Sequence, residues 1–335
     1  MKGKIVLVER ATCPTGGTLA GRIRPAAAAG AVAVIIFNNE ANATGTLSAP
    51  DPSGFVPAGV ILRADGFALV DKLNAGESIE AYFQQTQTIE ERITQNVFAE
   101  TRGGDPNNVI MLGAHLDSVP AGAGINDDGL SAIRTVVSGL IFTLGSGTTL
   151  VLELFEALQK YKVKNKVRFA WWGAEELGLV GSRYYTANLN ASSIDQLLVY
   201  LNFDMVSSGY FGVFDGDGST HGLVGPPGSE VVEKLFVDDL TSKGINVTAA
   251  SFTGGSDYAS FMTVLKKPIG GLHTGTGVAQ DPCYHKACDT YDNANPNTIT
   301  VNAKVCCSIS LTVLQLIPNE FPDSCTCSLN HGNRR

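Results

Sequence analysis

Apolar positions fall in two kinds of block, and the blocks change character near residue 88. Ahead of it, residues 4–9, 31–37, 58–62 and 78–83 are short runs rich in Val, Ile and Ala, which predict strands. Residues 18–30 and 64–73 space their apolar side chains as helices do. Residues 1–88 therefore read as a small α/β domain. From 89 to 318, strand and helix patterns alternate. Residues 93–100 and 109–114 read as neighbouring strands, 147–161 as an amphipathic helix, and 167–172 and 197–203 as fully apolar strands. Residues 229–243 read as a helix, 268–272 as a strand and 301–316 as a last helix. This rhythm predicts a three-layer α/β domain with a mostly parallel sheet. Residues 319–335 lack periodicity and form an irregular tail with Cys325 and Cys327. Residues 130–145 stand outside the rhythm as an anomalous insert. The stretch 135–152 has no charge and is long enough to cross a membrane. Its Ser, Thr and Gly residues make it too polar, so no stable membrane insertion is expected.

The 335 residues suit about two domains at roughly 150 residues each. Net charge is −8, and no run of Lys and Arg exceeds two, so a nucleic-acid partner is excluded. The seven cysteines and the sequons at Asn42, Asn190 and Asn246 point to an extracellular, disulfide-permissive setting, although no signal peptide opens the chain.

Candidate chemistry lies at the ends of predicted strands or in loops. The clusters are Gly113-Ala-His-Leu-Asp-Ser118, Gly124-Ile-Asn-Asp-Asp-Gly129, Ala170-Trp-Trp-Gly-Ala-Glu-Glu-Leu-Gly178, Leu201-Asn-Phe-Asp-Met205 and Asp281-Pro-Cys-Tyr-His-Lys-Ala-Cys288. In open α/β sheets, sites form beyond the carboxyl ends of strands, so these groups can converge. His, Asp, Glu, Asp and His suit zinc. Two imidazoles with three carboxylates exceed one tetrahedral site and fit two metals sharing a carboxylate. The adjacent Glu175-Glu176 pair offers a ligand and a general base. Singly, each cluster has a plainer explanation: Asp127-Asp128-Gly129 is a typical turn, Glu175-Glu176 a solvated one, and Trp171 and Trp172 strand packing. Asp128 reads as a turn residue only, and His221, His273 and His331 match no ligand position.

In this order, the five clusters resemble the family-twenty-eight zinc metallopeptidases, specifically the secreted two-zinc aminopeptidases, over roughly residues 90–316. The segment Met1-Lys-Gly-Lys-Ile-Val-Leu-Val-Glu-Arg10, with Ala26-Ala-Ala-Ala-Gly-Ala-Val-Ala-Val-Ile-Ile36 ahead of Phe37-Asn-Asn39, resembles a protease-associated domain that has lost its first strands. The resemblance implies a zinc-exopeptidase fold, with a central mostly parallel mixed sheet between helices, and two zincs per chain. His115 and Asp204 would hold one zinc, and Glu176 and His285 the other. Asp127 would bridge them. A hydroxide shared by the zincs would attack the first peptide bond, with Glu175 as its base. Asp117 would orient the His115 imidazole. Tyr284 would polarise the scissile carbonyl, inside a disulfide between Cys283 and Cys288. Substrates would be peptide or protein N-termini with Leu-like first residues, and the protein a monomer. In the family the bridging-Asp loop runs directly into a helix. Removing residues 130–145 would restore that arrangement, so the insert reads as a short intron translated in frame. Two alternatives follow from the same fold, a non-catalytic binding protein and a one-zinc glutaminyl cyclase.

Overall fold

The computed structural model describes residues 1–10, 19–39, 54–85, 91–128, 131–137, 140–143, 145–275 and 280–313. The chain forms two compact units, Met1–Ile93 and Thr94–Arg335. Asn42, Cys13, Cys325, Cys327, His331 and the tail 319–335 lie outside the described residues.

In the first unit, β1 (Ile5–Glu9), α1 (Leu19–Ala28), β2 (Ala33–Asn39), β3 (Ala58–Leu62) and α2 (Arg63–Asn74) follow one another. The strands make a parallel sheet in the order β1-β2-β3. The central strand β2 supplies Val34 and Ile36 to a small core with Ala26 and Ala31. Helix α2 comes so close to β2 that a Cβ on Gly66 would lie 2.3 Å from Phe37. Residues 78–83, expected as a strand, form none. Ile79 and Tyr82 stay exposed, Tyr82 at 88%, and an extended run with no partner strand gains no ladder.

The second unit begins with β4 (Val97–Glu100) and β5 (Asp105–His115). A two-stranded hairpin follows, β6 (Ser131–Val137) and β7 (Leu140–Thr143). Then come α3 (Ser146–Leu158), β8 (Asn165–Trp172), α4 (Val180–Asn188), α5 (Ala191–Gln196) and β9 (Leu197–Asp204). The chain continues through β10 (Gly212–Phe214), α6 (Ser229–Ser242), β11 (Thr248–Ala250), α7 (Tyr258–Ser260), β12 (Ile269–His273) and α8 (Pro296–Val313). Seven strands form one mixed sheet in the order β11-β10-β12-β9-β5-β8-β4.

That order corrects one expectation. Strands β4 and β5 are consecutive but not neighbours, because β8 lies between them. From Val109 to His115, β5 is buried, so its backbone groups need partners on both edges. The apolar strands β8 and β9 supply them, in parallel. Strand β4 is mostly exposed and takes the sheet edge, antiparallel to β8.

Along β5, side chains alternate between two cores, as the period of two requires. Ile110, Leu112 and Ala114 face Leu150, Val151 and Leu154 of α3, Phe236 of α6 and Val305 of α8. Val109 and Met111 face the opposite core, with Trp172, Tyr200, Tyr258 and Phe261. Helices thus cover both faces. The insert supplies the hairpin β6–β7, with Val136 opposite Ile141. The uncharged stretch 135–152 is therefore shared between hairpin and α3. No described helix is long and apolar enough to cross a membrane.

Candidate metal centre

Strands β8, β5 and β9 lie side by side and parallel, so their carboxyl ends share one edge. His115 is the last residue of β5 and Asp204 the last of β9. Glu175 and Glu176 follow β8 after Gly173 and Ala174. The loop 124–128 brings Asp127, and the segment 281–288 brings His285. All five expected ligands meet.

His115 Nε2 lies 3.5 Å from Asp204 Oδ1 and 3.7 Å from Asp127 Oδ1. His285 Nε2 lies 3.0 Å from Asp127 Oδ2 and 3.1 Å from Glu176 Oε2. Ligand atoms of His115, Asp127 and Asp204 lie within 4.8 Å of one another, as do those of Asp127, Glu176 and His285. Asp127 is common to both sets. His115 Nε2, Asp127 Oδ2, Glu176 Oε1 and Asp204 Oδ1 are buried without a hydrogen-bond partner. Buried polar atoms left unpaired are costly. A divalent cation in each set would satisfy them, and the mixed imidazole and carboxylate donors suit zinc.

The backbone is strained where it delivers these groups. Positive φ occurs at Asp128 (45°), Ala174 (58°), Met205 (54°) and His285 (55°), each at or beside a candidate ligand or Glu175. Left-handed backbone at non-glycine residues costs energy and clusters at functional sites.

Asp117 differs from its expected role. The His115 ring is oriented by the Asp117 backbone carbonyl, 3.0 Å from Nδ1, while the nearer carboxylate oxygen stands 3.9 Å away. The carboxylate instead accepts the backbone N–H groups of Glu175 (2.8 Å) and Glu176 (3.0 Å). Those consecutive donors turn toward it, and a carboxylate satisfies both at once. Asp128 is also more than a turn residue. It is fully buried, with Oδ1 accepting from the Gly147 N–H and the Ser146 hydroxyl at the start of α3. Sequence inspection gave no role to Asp257, Asp281 or Asp289, all buried around the site. Asp257 alone is marked locally, as the one charge between Lys243 and Lys266.

Burial is the largest single influence on each of these groups, but it does not always set the direction. It raises the Glu175 carboxyl well above the usual carboxylate range, and the charge of His115 only partly opposes it. Burial would also raise Asp127, but His115 and His285 outweigh it and hold Asp127 well below that range. Burial alone would lower the His285 imidazole, yet the facing Asp127 and Glu176 carry it up to about 10. The Tyr284 hydroxyl is raised by burial and by the surrounding carboxylates, Asp127 first, so it stays protonated. Its ring stacks on His285 with centroids 3.8 Å apart. A disulfide joins Cys283 and Cys288, with Cα atoms 5.3 Å apart. His273 and His221 are not in either ligand set: His273 bonds the Asp204 carbonyl and His221 the Ala249 carbonyl. Trp171 and Trp172 are buried strand residues.

The model of peptidase family M28 matches residues 96–137 and 144–310, and that of the PA domain matches residues 1–69. The break at 138–143 falls inside the insert. A leucine aminopeptidase 2 of Trichophyton rubrum is 40% identical over 322 residues, which is 90% of this chain and 60% of that protein. Leucine aminopeptidase 2 of Arthroderma otae is 39% identical with the same coverage. The chain thus spans about 60% of the length of these curated relatives. Among solved structures, the aminopeptidase from Aneurinibacillus sp. strain AM-1 superposes with a TM-score of 0.72 at 28% identity, covering 95% of this chain and 71% of that one. BSAP, a zinc aminopeptidase from Bacillus subtilis, shares the fold with a TM-score of 0.65 at 24% identity, covering 93% and 70%.

Proposed function

The chain belongs to peptidase family M28 and carries a PA domain, and on that premise we propose that it is a zinc aminopeptidase acting on the free N-terminus of peptides. The observation that carries this reading is the pair of three-ligand sets sharing Asp127, with Glu175 beside them. His115, Asp127 and Asp204 would hold one zinc, and Asp127, Glu176 and His285 the other. Zinc there would polarise the scissile carbonyl and lower the pKa of the attacking water toward ~7.

The chain's own residues do the rest. Glu175 takes the water's proton on its carboxylate and passes it to the leaving amine nitrogen. Its burial suits this exchange, since it raises the carboxyl toward the range in which a group can both take and give a proton. The protonated Tyr284 hydroxyl donates to the carbonyl oxygen as negative charge develops there. The acidic cluster attracts the α-ammonium of the substrate, which favours exopeptidase action. Asp117 holds the Glu175-Glu176 backbone, and the Cys283–Cys288 loop holds Tyr284 and His285. Similarity to the leucine aminopeptidases supports a Leu-like first residue. Secretion as a monomer, with glycans on Asn42, Asn190 and Asn246, belongs to the same reading. Asn190 and Asn246 are exposed.

Release of the amine from a Leu arylamide tests the proposal, with zinc per chain measured on the same sample. Turnover abolished by a chelator and restored by zinc supports it. A chain that holds two zincs and releases nothing sinks it in favour of a binding protein. A version lacking residues 130–145, run alongside, reads whether the insert limits turnover. A Gln-initiated peptide separates the cyclase: ammonia would mark cyclisation, free Gln hydrolysis. The second ligand set favours hydrolysis, because the cyclase needs one zinc.

A further inference from the structure

The segment that carries His285 also grips the loop that carries Asp127. Asp289 is 1% exposed, and its two carboxylate oxygens accept the consecutive backbone N–H groups of Asn126 (2.9 Å) and Asp127 (3.1 Å). Its carbonyl accepts the N–H of Ile125. Asp281, also buried, accepts the Asn126 side-chain amide through Oδ2 (2.7 Å) and the Cys283 N–H through Oδ1 (2.8 Å). The Asn293 amide donates to both acids. Asn126 is fully buried; its Oδ1 accepts the N–H and hydroxyl of Ser207, and its carbonyl accepts the Ser146 hydroxyl.

Residues 124–128 lie in no helix or strand, so no regular ladder sets the direction of the Asp127 side chain. Two adjacent N–H groups held by one buried carboxylate do set it, since charge-assisted bonds are short and directional. The Asp281 and Asn293 contacts extend the grip to the disulfide loop. Asp127 Oδ2 and His285 Nε2, 3.0 Å apart, are thereby fixed relative to each other.

We propose that Asp289 is the positioning residue for the bridging ligand Asp127, so that the two ligand sets are preformed by this acid clamp before any ion enters. The inference rests on the two-zinc reading. It separates Asp289 from an acid that merely stabilises the fold, because a preformed site changes the affinity for the ion. A structural bond would lower the zinc-free and zinc-loaded states alike.

The test uses the full chain and Asp289→Asn. The amide keeps the shape but sets an NH2 group against one of the two backbone N–H groups. Zinc affinity is read by competition with a chromogenic chelator, and thermal midpoints are read with and without zinc. The expected result is a zinc dissociation constant raised about 10–100-fold, with a narrower gap between the zinc-loaded and zinc-free midpoints. An unchanged dissociation constant, with both midpoints falling together, overturns the proposal. If Asp289→Asn does not fold, Asp289→Glu replaces it, keeping a carboxylate but moving it by one methylene off the Asn126 and Asp127 N–H groups. It is expected to weaken zinc binding about tenfold, and unchanged binding there overturns the proposal equally. A wild-type chain that binds no zinc would sink the two-zinc reading itself. A wild-type chain that binds zinc no more tightly than both variants sinks only the clamp.

Discussion

Replacing Asp117 by Ala removes the acceptor for two consecutive backbone N–H groups, those of Glu175 and Glu176. Hydrogen bonds to a charged group are worth about 1.5–3 kcal/mol each. The Asp117 side chain is 26% exposed, so water can replace part of the loss. A net cost of about 1–3 kcal/mol follows, or roughly 2–12 °C in the thermal midpoint of a domain this size. The effect on turnover is larger than the effect on stability. The freed backbone carries both Glu175, the proposed base, and Glu176, a proposed zinc ligand, and about 1 Å of misplacement can cost ~100-fold in rate. The assay is kcat on a Leu arylamide with zinc per chain measured in parallel. The expected outcome is kcat down about 100-fold with zinc content nearly kept. Asp117→Asn, which retains one acceptor, should fall between. A kcat within threefold of wild type for Asp117→Ala, on zinc-loaded protein, would refute the reasoning. So would a loss that simply tracks missing zinc.

Three further outcomes are expected. Glu175→Gln should lower kcat about 10²–10⁴-fold while zinc content stays at the wild-type value, because Glu175 is in neither ligand set; a fall in zinc uptake would reassign it as a ligand. Opening the Cys283–Cys288 bridge by Ser substitution should cost about 2 kcal/mol from a six-residue loop, read as a lower thermal midpoint; an unchanged midpoint would mean the Asp281 contacts suffice. Asp257 is fully buried with neither carboxylate oxygen hydrogen-bonded, and burial, partly offset by His115, raises its pKa from 3.8 to about 7. The folded chain then holds this proton where the unfolded chain has lost it, so Asp257 destabilises the fold progressively as pH rises from about 4 to about 7. Asp257→Asn in the zinc-free chain should therefore gain midpoint relative to wild type across that interval, and a difference constant with pH would contradict the assignment.

Much of the fold and site could be read from local pattern. The apolar runs at 109–114, 167–172 and 197–203 are strands because nothing else buries so many consecutive apolar side chains in so short a segment. Chemistry-bearing residues at their ends already implied a shared edge, and His115, Asp127, Glu176, Asp204 and His285 do meet. Elements of three residues, such as β10 and β11, are too short to show a period and exist only because β12 offers β10 an edge, and β10 offers β11 one. The place of β8 between β4 and β5 was likewise invisible, since pairing is chosen by which strand must be buried on both sides. Asp117 turned from the imidazole to the Glu175-Glu176 backbone because two donors there lacked an acceptor. Asp289 reaches the Asp127 backbone across 162 residues of sequence. Local side-chain chemistry and periodicity are written in the order of residues. Which buried donor finds which acceptor depends on groups distant in the chain, and only the folded structure brings them within hydrogen-bonding range.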